Sequence, residues 1–183
     1  AAALRAIVRA NNSQSFSFDW PRMAKCLGAD VAVCYGQRAA VMTGIGEAVT
    51  PAPRLPEIAV VIVNPAIPLP TQTIYAALNA PDFAPHLVGG TTDLDRSFGD
   101  LNQLMAYLET APNDLEQAAL SLVPAVGDVK AELAAQDGCL LARLSGSGST
   151  CFGIFPDQCI AETAEHAIAR QRPDWWVRSS LLR

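Results

Sequence analysis

Apolar residues are grouped along this chain in two ways, and each grouping predicts a different element. Short, mainly apolar runs at residues 58–63, 139–144 and 151–155 have the length and the β-compatible residues of buried strands. Residues 37–42 and 175–181 read as further strands. Helical spacing marks residues 1–10, where Leu4, Ile7 and Val8 recur, and again residues 100–108 and 158–170. Asn11-Asn12 stops the first of these helices. A helix also starts at Phe18-Asp19-Trp20-Pro21, with Asp19 as its cap and Pro21 in its first turn, and it ends at Gly28.

The connecting stretches complete the order. After Gly28, Ala29-Asp30-Val31 leads into an apolar run through Tyr35, which leaves Asp30 between a helix end and a strand. Residues 43–47 form a turn. Thr71 opens a short helix through Leu78, and residues 79–99 form a long loop. Asn113-Asp-Leu-Glu116 opens a helical stretch with Asn113 as cap and Glu116 at the capping-box position; it breaks near Pro124 and continues to about residue 135. Thr50-Pro-Ala-Pro-Arg-Leu-Pro56 holds three prolines in seven residues, which exclude a helix interior or a central strand. A boundary there gives residues 1–50, a linker over 51–56 and a second domain over 57–183. Past the linker the order is strand, helices, strand, strand, helix, strand. That is the split βαβ, ferredoxin-like arrangement of an α+β fold, an antiparallel sheet with helices on one face.

Composition narrows the function classes. Of 183 residues half are hydrophobic and 17% charged, an ordinary globular balance. The net charge is −5 and the 13 Lys and Arg residues are scattered, so no nucleic-acid surface is expected. No apolar stretch approaches the roughly 20 residues that cross a bilayer, and no secretory signal is visible. Five cysteines without a C-x-x-C pair predict reduced, buried thiols and a cytoplasmic protein. His86 and His166 have no ligand at metal spacing, so no metal site is expected from them.

Two features carry candidate chemistry. Ser145-Gly-Ser-Gly-Ser-Thr150 lies between two predicted strands. It reads as a hairpin turn or as a loop whose backbone N–H groups converge on an anion. Asp30 reads either as an Asp that caps a turn or as a general base at a junction.

Five motifs in register decide between these readings: Leu27-Gly-Ala-Asp-Val31, Gly44-Ile-Gly-Glu47, Val63-Asn-Pro65 with Pro70-Thr71, Asn113-Asp-Leu-Glu116, and the Gly/Ser loop before Phe152-Gly. Over nearly the whole chain they resemble the 4-diphosphocytidyl-2-C-methyl-D-erythritol kinase family of the isoprenoid (methylerythritol phosphate) pathway. That family stands in the superfamily of galactokinase, homoserine kinase, mevalonate kinase and phosphomevalonate kinase. The resemblance implies transfer of the ATP γ-phosphate to the 2-hydroxyl of a cytidine-diphosphate-linked methylerythritol, with Mg²⁺ as the accompanying ion. It makes Asp30 the catalytic base, and a positioned carboxylate can accept the proton of an alcohol as the bond to phosphorus forms. It assigns Gly146, Ser147, Gly148 and Ser149 to the nucleotide phosphates, and Thr71 and Tyr75 to the cytidine end. Tyr75 reads equally as an ordinary core aromatic on a short helix. Where the family motif usually continues with Pro this chain has Ala32, and where the family commonly has Phe it has Tyr75.

The family also carries an N-terminal half ending in a glycine- and serine-rich ATP loop, with a substrate-side Lys and Asn. Nothing of that sort stands in this sequence. The expectation is that residues 1–50 are the remnant of an N-terminal kinase domain and that the isolated chain does not turn over ATP. Two other readings stand beside it. One is a different kinase of the superfamily, acting on mevalonate-like or sugar alcohols; the other is a non-catalytic ferredoxin-like ligand-binding module.

Overall fold

A computed structural model describes residues 1–10, 19–44, 48–78 and 97–183. The Asn11-Asn12 stop, the Gly44 motif beyond Gly44 itself, His86 and the expected loop over 79–96 lie outside the described residues. The chain divides into two compact units, with the boundary between Leu55 and Pro56.

In the first unit three helices precede a hairpin. α1 (Ala2–Ala10) buries Leu4, and its Arg5 guanidinium donates to the Cys34 carbonyl. α2 (Trp20–Leu27) is capped by Asp19, whose carboxylate accepts from the Arg22 N–H at 2.9 Å, and it carries proline in its first turn. α3 (Ala29–Gly36) then starts after a single residue. The expected strand after Gly28 is therefore wrong: Asp30 sits in the first turn of a helix. Gly28 flanks both helices with φ 149° and ψ 153°, a conformation suited to glycine, so the chain turns sharply and resumes helix at once. A short apolar run with two valines has no period of its own, and here the tertiary setting overrides its β preference. β1 (Ala40–Thr43) pairs antiparallel with β2 (Ala48–Pro51), Ala40 opposite Pro51. Pro51 is tolerated because a two-stranded ribbon has only edges.

The second unit is a four-stranded antiparallel sheet in the order β4 (Leu141–Leu144), β5 (Cys151–Phe155), β3 (Ile58–Asn64), β6 (Trp176–Leu182). Each βαβ connection skips the strand between its ends, which is the interleaved split βαβ topology expected above. Alternate residues of β3, namely Ala59, Val61 and Val63, face the helices. They pack with Ala119 of α6 (Glu116–Leu122), Val126, Val129 and Leu133 of α7 (Ala125–Ala134), and Ala164 and Ile168 of α8 (Gln158–Gln171). α4 (Thr71–Ala77) adds Ile74 to the same core, and α5 (Leu101–Thr110) buries Leu104. Gly153 is small by necessity. A Cβ there would stand 3.0 Å from the Phe155 ring and 3.2 Å from Leu133, so a side chain would prise α7 off the sheet.

Caps and ion pairs fix the helices to the strands. Asp100 and Asp157 cap α5 and α8 through the N–H groups of Gln103 and Ile160, each at 2.9 Å. Glu165 on α8 accepts from the backbone N–H and hydroxyl of Ser179 on β6. Asn113 and Glu116, expected as a capping box, act differently. Glu116 turns away from its own helix: one carboxylate oxygen pairs with Lys130 on α7 and the other accepts from the Leu144 N–H on β4 at 3.1 Å. Arg143, next on β4, donates to the carbonyls of Leu108 and Ala111 at the end of α5, both at 2.8 Å.

The cysteines also depart from expectation. All five are free thiols, but Cys26, Cys34 and Cys159 are exposed, Cys139 is half-buried and only Cys151 is buried. Cys26, Cys34 and Cys159 lie on helices, where an apolar neighbour in sequence points to another face. His166 is exposed on α8. Among the described residues no helix is long and apolar enough to cross a membrane.

Phe155 is the largest fully buried side chain, so Phe155→Ala should cost about 3–5 kcal/mol in denaturant unfolding. Glu116 gives a pH signature. Burial raises its pKa, but the Lys130 hydrogen bond, the Leu144 N–H and the charges of Lys130 and Arg143 outweigh burial and hold the carboxyl below its ordinary 4.5. A depressed carboxyl stabilises the fold fully above the unfolded value and loses that contribution as pH falls through the folded one. Glu116→Gln should therefore be less stable than the parent by about 1–3 kcal/mol near neutrality. Urea unfolding across a pH series should show that gap closing below pH 4.5.

Candidate functional site

The Gly/Ser stretch is a closed hairpin loop between β4 and β5. The Ser145 N–H donates to the Thr150 carbonyl at 2.9 Å, and the Gly148 N–H to the Ser145 carbonyl at 3.0 Å. Two positive-φ glycines shape it, Gly146 at 55° and Gly148 at 88°. They stand in opposite settings. A Cβ on Gly146 would meet nothing within 4 Å, whereas one on Gly148 would come within 2.8 Å of Leu144 and 3.3 Å of Leu69. The loop is thus open above Gly146 and closely packed beneath Gly148.

Side chains from three other places pin it, and the loop's own Ser149 adds a fourth bond. At the end of β3, the Asn64 carboxamide donates to the Thr150 hydroxyl at 2.9 Å, while its oxygen accepts from the Ala66 N–H. Ser149 is buried, and its hydroxyl donates to the Ile67 carbonyl at 2.6 Å. Thr71, the first residue of α4, shares a hydroxyl–hydroxyl hydrogen bond of 2.9 Å with Ser147. Asn113 donates both amide hydrogens to β4 and the loop, at 3.1 Å to the Leu144 carbonyl and 2.8 Å to the Gly146 carbonyl. Its oxygen accepts from the Leu115 N–H at 3.0 Å.

Of the residues expected at the site outside the loop, Thr71 is brought against it. Thr71 touches Ser147 directly. Tyr75 lies one turn further along α4 and is 59% exposed, which rules out the reading as a core aromatic; Ile74 beside it faces the core. Asn64, Asn113 and Glu116 hold this arrangement, and the first was read from sequence as a strand end and as part of the Val63-Asn-Pro65 motif, with no role of its own. An Asn at a strand end before Pro65 was the available signal, because its side chain can bond both local backbone and a neighbouring loop. Below the loop, burial pushes the Cys151 thiol up to about 12, so it stays protonated near neutrality. Its Sγ lies 3.9 Å from the Ser149 and Val126 carbonyls. In the first unit Asp30 is exposed, and its place in the first turn of α3 sets its carboxylate at the positive end of that helix.

The chemical capacity of the loop follows. Small residues, an open face at Gly146 and the donors of Ser147 suit an anion such as a phosphate. Among the described residues no group of three or more His, Cys, Asp or Glu is placed to hold a metal ion.

Comparison with known proteins gives consistent results. The family of GHMP kinases, C terminal, matches residues 92–174. A 4-diphosphocytidyl-2-C-methyl-D-erythritol kinase of Rhodopseudomonas palustris (strain BisA53) is 44% identical over all of this chain and 62% of its own length. A kinase of the same name from Cereibacter sphaeroides (strain KD131) is 46% identical over 82% of this chain and 53% of its own length. The chain thus spans less than two thirds of these curated relatives. A crystal structure of 4-(cytidine 5'-diphospho)-2C-methyl-D-erythritol kinase matches 99% of this chain and 63% of its own, with 25% identity and a TM-score of 0.73. The mevalonate kinase of L. major shares the fold, at 13% identity and a TM-score of 0.55 over 79% of this chain and 48% of its own. Along its whole length the chain is thus similar to 4-diphosphocytidyl-2-C-methyl-D-erythritol kinases, and within it residues 92–174 match the GHMP kinases C-terminal family.

Proposed function

We propose that this chain contributes to an ATP-dependent kinase that phosphorylates the 2-hydroxyl of 4-diphosphocytidyl-2-C-methyl-D-erythritol in isoprenoid precursor synthesis. One observation carries the reading: similarity to kinases of that name runs over the whole chain at 44% identity. The loop geometry supports it. Gly146 leaves open space for a phosphate oxygen and Ser147 offers its backbone N–H and hydroxyl. In this reading Gly148 and Ser149 act by shaping the loop, one through a close backbone approach and the other through its bond to Ile67.

The acceptor side follows from α4 and Asp30. An exposed Tyr75 ring can stack on a cytosine, and Thr71 beside Ser147 sits between base and phosphates. Asp30 takes the proton of the 2-hydroxyl as its oxygen bonds to the γ-phosphorus and the bond from that phosphorus to the bridging oxygen breaks, releasing ADP, so that the nucleophile does not carry positive charge in the transition state. Mg²⁺ would accompany the nucleotide and neutralise charge on its phosphates. It binds mainly to phosphates and water and needs only one or two carboxylates, so a dedicated cluster in this chain is not required. Residues 1–50 belong in this reading to a larger kinase domain, and the protein to the cytoplasm.

The test is Asp30→Asn in the complete protein. Turnover of the cytidine-linked alcohol should fall by about 10²–10⁴-fold while ATP-analogue affinity changes little. Unchanged turnover would remove Asp30 from the mechanism. A preference for an acceptor lacking the cytidine group would instead point to another kinase of the superfamily.

A further inference from the structure

The geometry points to Asn113 as the residue that positions the Gly/Ser loop for phosphate, a role that rests on the kinase reading above. Asn113 is fully committed: its two amide hydrogens go to the carbonyls of Leu144 and Gly146, and its oxygen accepts from the Leu115 N–H. The bond to Gly146 has a consequence one residue further on. A carbonyl and the next N–H belong to one planar peptide unit and, when that unit is trans, point in opposite directions. Drawing the Gly146 oxygen towards Asn113 therefore aims the Ser147 N–H away from it. Among the described residues no acceptor is placed on that N–H, whereas the neighbouring donors of Ser145 and Gly148 are used inside the hairpin.

Glycine at 146 makes such a clamp necessary. With φ at 55° and no Cβ, this residue has no side chain of its own to fix the following peptide plane, which can flip at low cost. A flip would turn the Gly146 oxygen towards the anion and replace attraction by repulsion. The carboxamide sets the plane before ligand arrives, which is what preorganised donors require. Only a side chain with two donors and an acceptor at this length satisfies all three partners. Asp keeps the acceptor for Leu115 and loses both donors.

The experiment uses the complete protein with Asn113→Ala and Asn113→Asp, followed by kinetics and by amide NMR of Gly146 and Ser147 during titration with ADP. In the parent protein the Ser147 amide should shift on ADP addition. In both variants that shift should be lost, and KM for ATP should rise about five- to tenfold, with KM for the alcohol substrate little changed. A residue that merely supports folding would lower apparent kcat through a smaller folded fraction and leave KM for ATP alone. That outcome overturns the proposal, as does a variant that fails to fold, or a parent Ser147 amide indifferent to ADP. Should the parent bind ADP through Ser147 yet phosphorylate no cytidine-linked alcohol, the substrate reading fails while the role of Asn113 stands.

Discussion

A strand at the edge of a sheet leaves alternate N–H and C=O groups facing away from its single partner, and β4 is such a strand. At Leu144 both outward groups are taken by side chains: the N–H by Glu116 and the carbonyl by Asn113. The next residue inward, Arg143, ties the same edge to the end of α5. The segment between α5 and α6 therefore takes the place of a fifth strand. Because Leu144 is the last residue before the hairpin, whatever closes this edge also holds the loop at its root. Glu116 can do so while partly buried only because Lys130 compensates its charge. Fold and site depend on the same few bonds.

Within the loop, structural and available groups alternate. Ser149 faces inward to the Ile67 carbonyl and Thr150 is engaged by Asn64, whereas Ser147 meets Thr71 at the surface. A hydroxyl pair of this kind has a direction. If Ser147 gives its hydrogen to an anion, its oxygen is left to accept from Thr71, and Thr71 then presents lone pairs to whatever lies over α4. The loop and the start of α4 are thus joined by a hydrogen bond whose direction can reverse.

The strands of the second unit were readable because three of the four are short, mainly apolar runs bounded by turn residues, and the fourth follows a clear helix. The helices that cover them show the matching period. The first unit was less legible at one point: Ala29-Asp30-Val31-Ala32-Val33 has no period, and only the backbone of Gly28 and packing against the preceding helix decide for helix. The shape of the Gly/Ser loop was legible where it is local, as in its two positive-φ glycines. It was illegible where partners are distant. Asn113 and Glu116 look like a capping box because that is the nearest use for such a pair, and nothing in the sequence connects them to Leu144, which for Asn113 lies 31 residues away. Cysteine burial failed for a related reason, since sequence neighbours were taken for spatial ones.

The position of β3 has a consequence for the way this chain is made. Its most apolar strand, Ile58–Asn64, is central in the sheet, yet both of its partners, Cys151–Phe155 and Trp176–Leu182, come far later in the sequence. During synthesis from the N-terminus that strand leaves the ribosome long before anything that can pair with it. An unpaired run of Ile, Ala and Val is the kind of segment that associates between nascent chains. Its flanks are suited to limiting this, with Pro56 and Glu57 before it and Asn64-Pro65 after it, residues that interrupt strand growth at both ends. The interleaved topology that closes the sheet so well thus places on this protein a long interval in which its core strand is protected only by its neighbours in sequence.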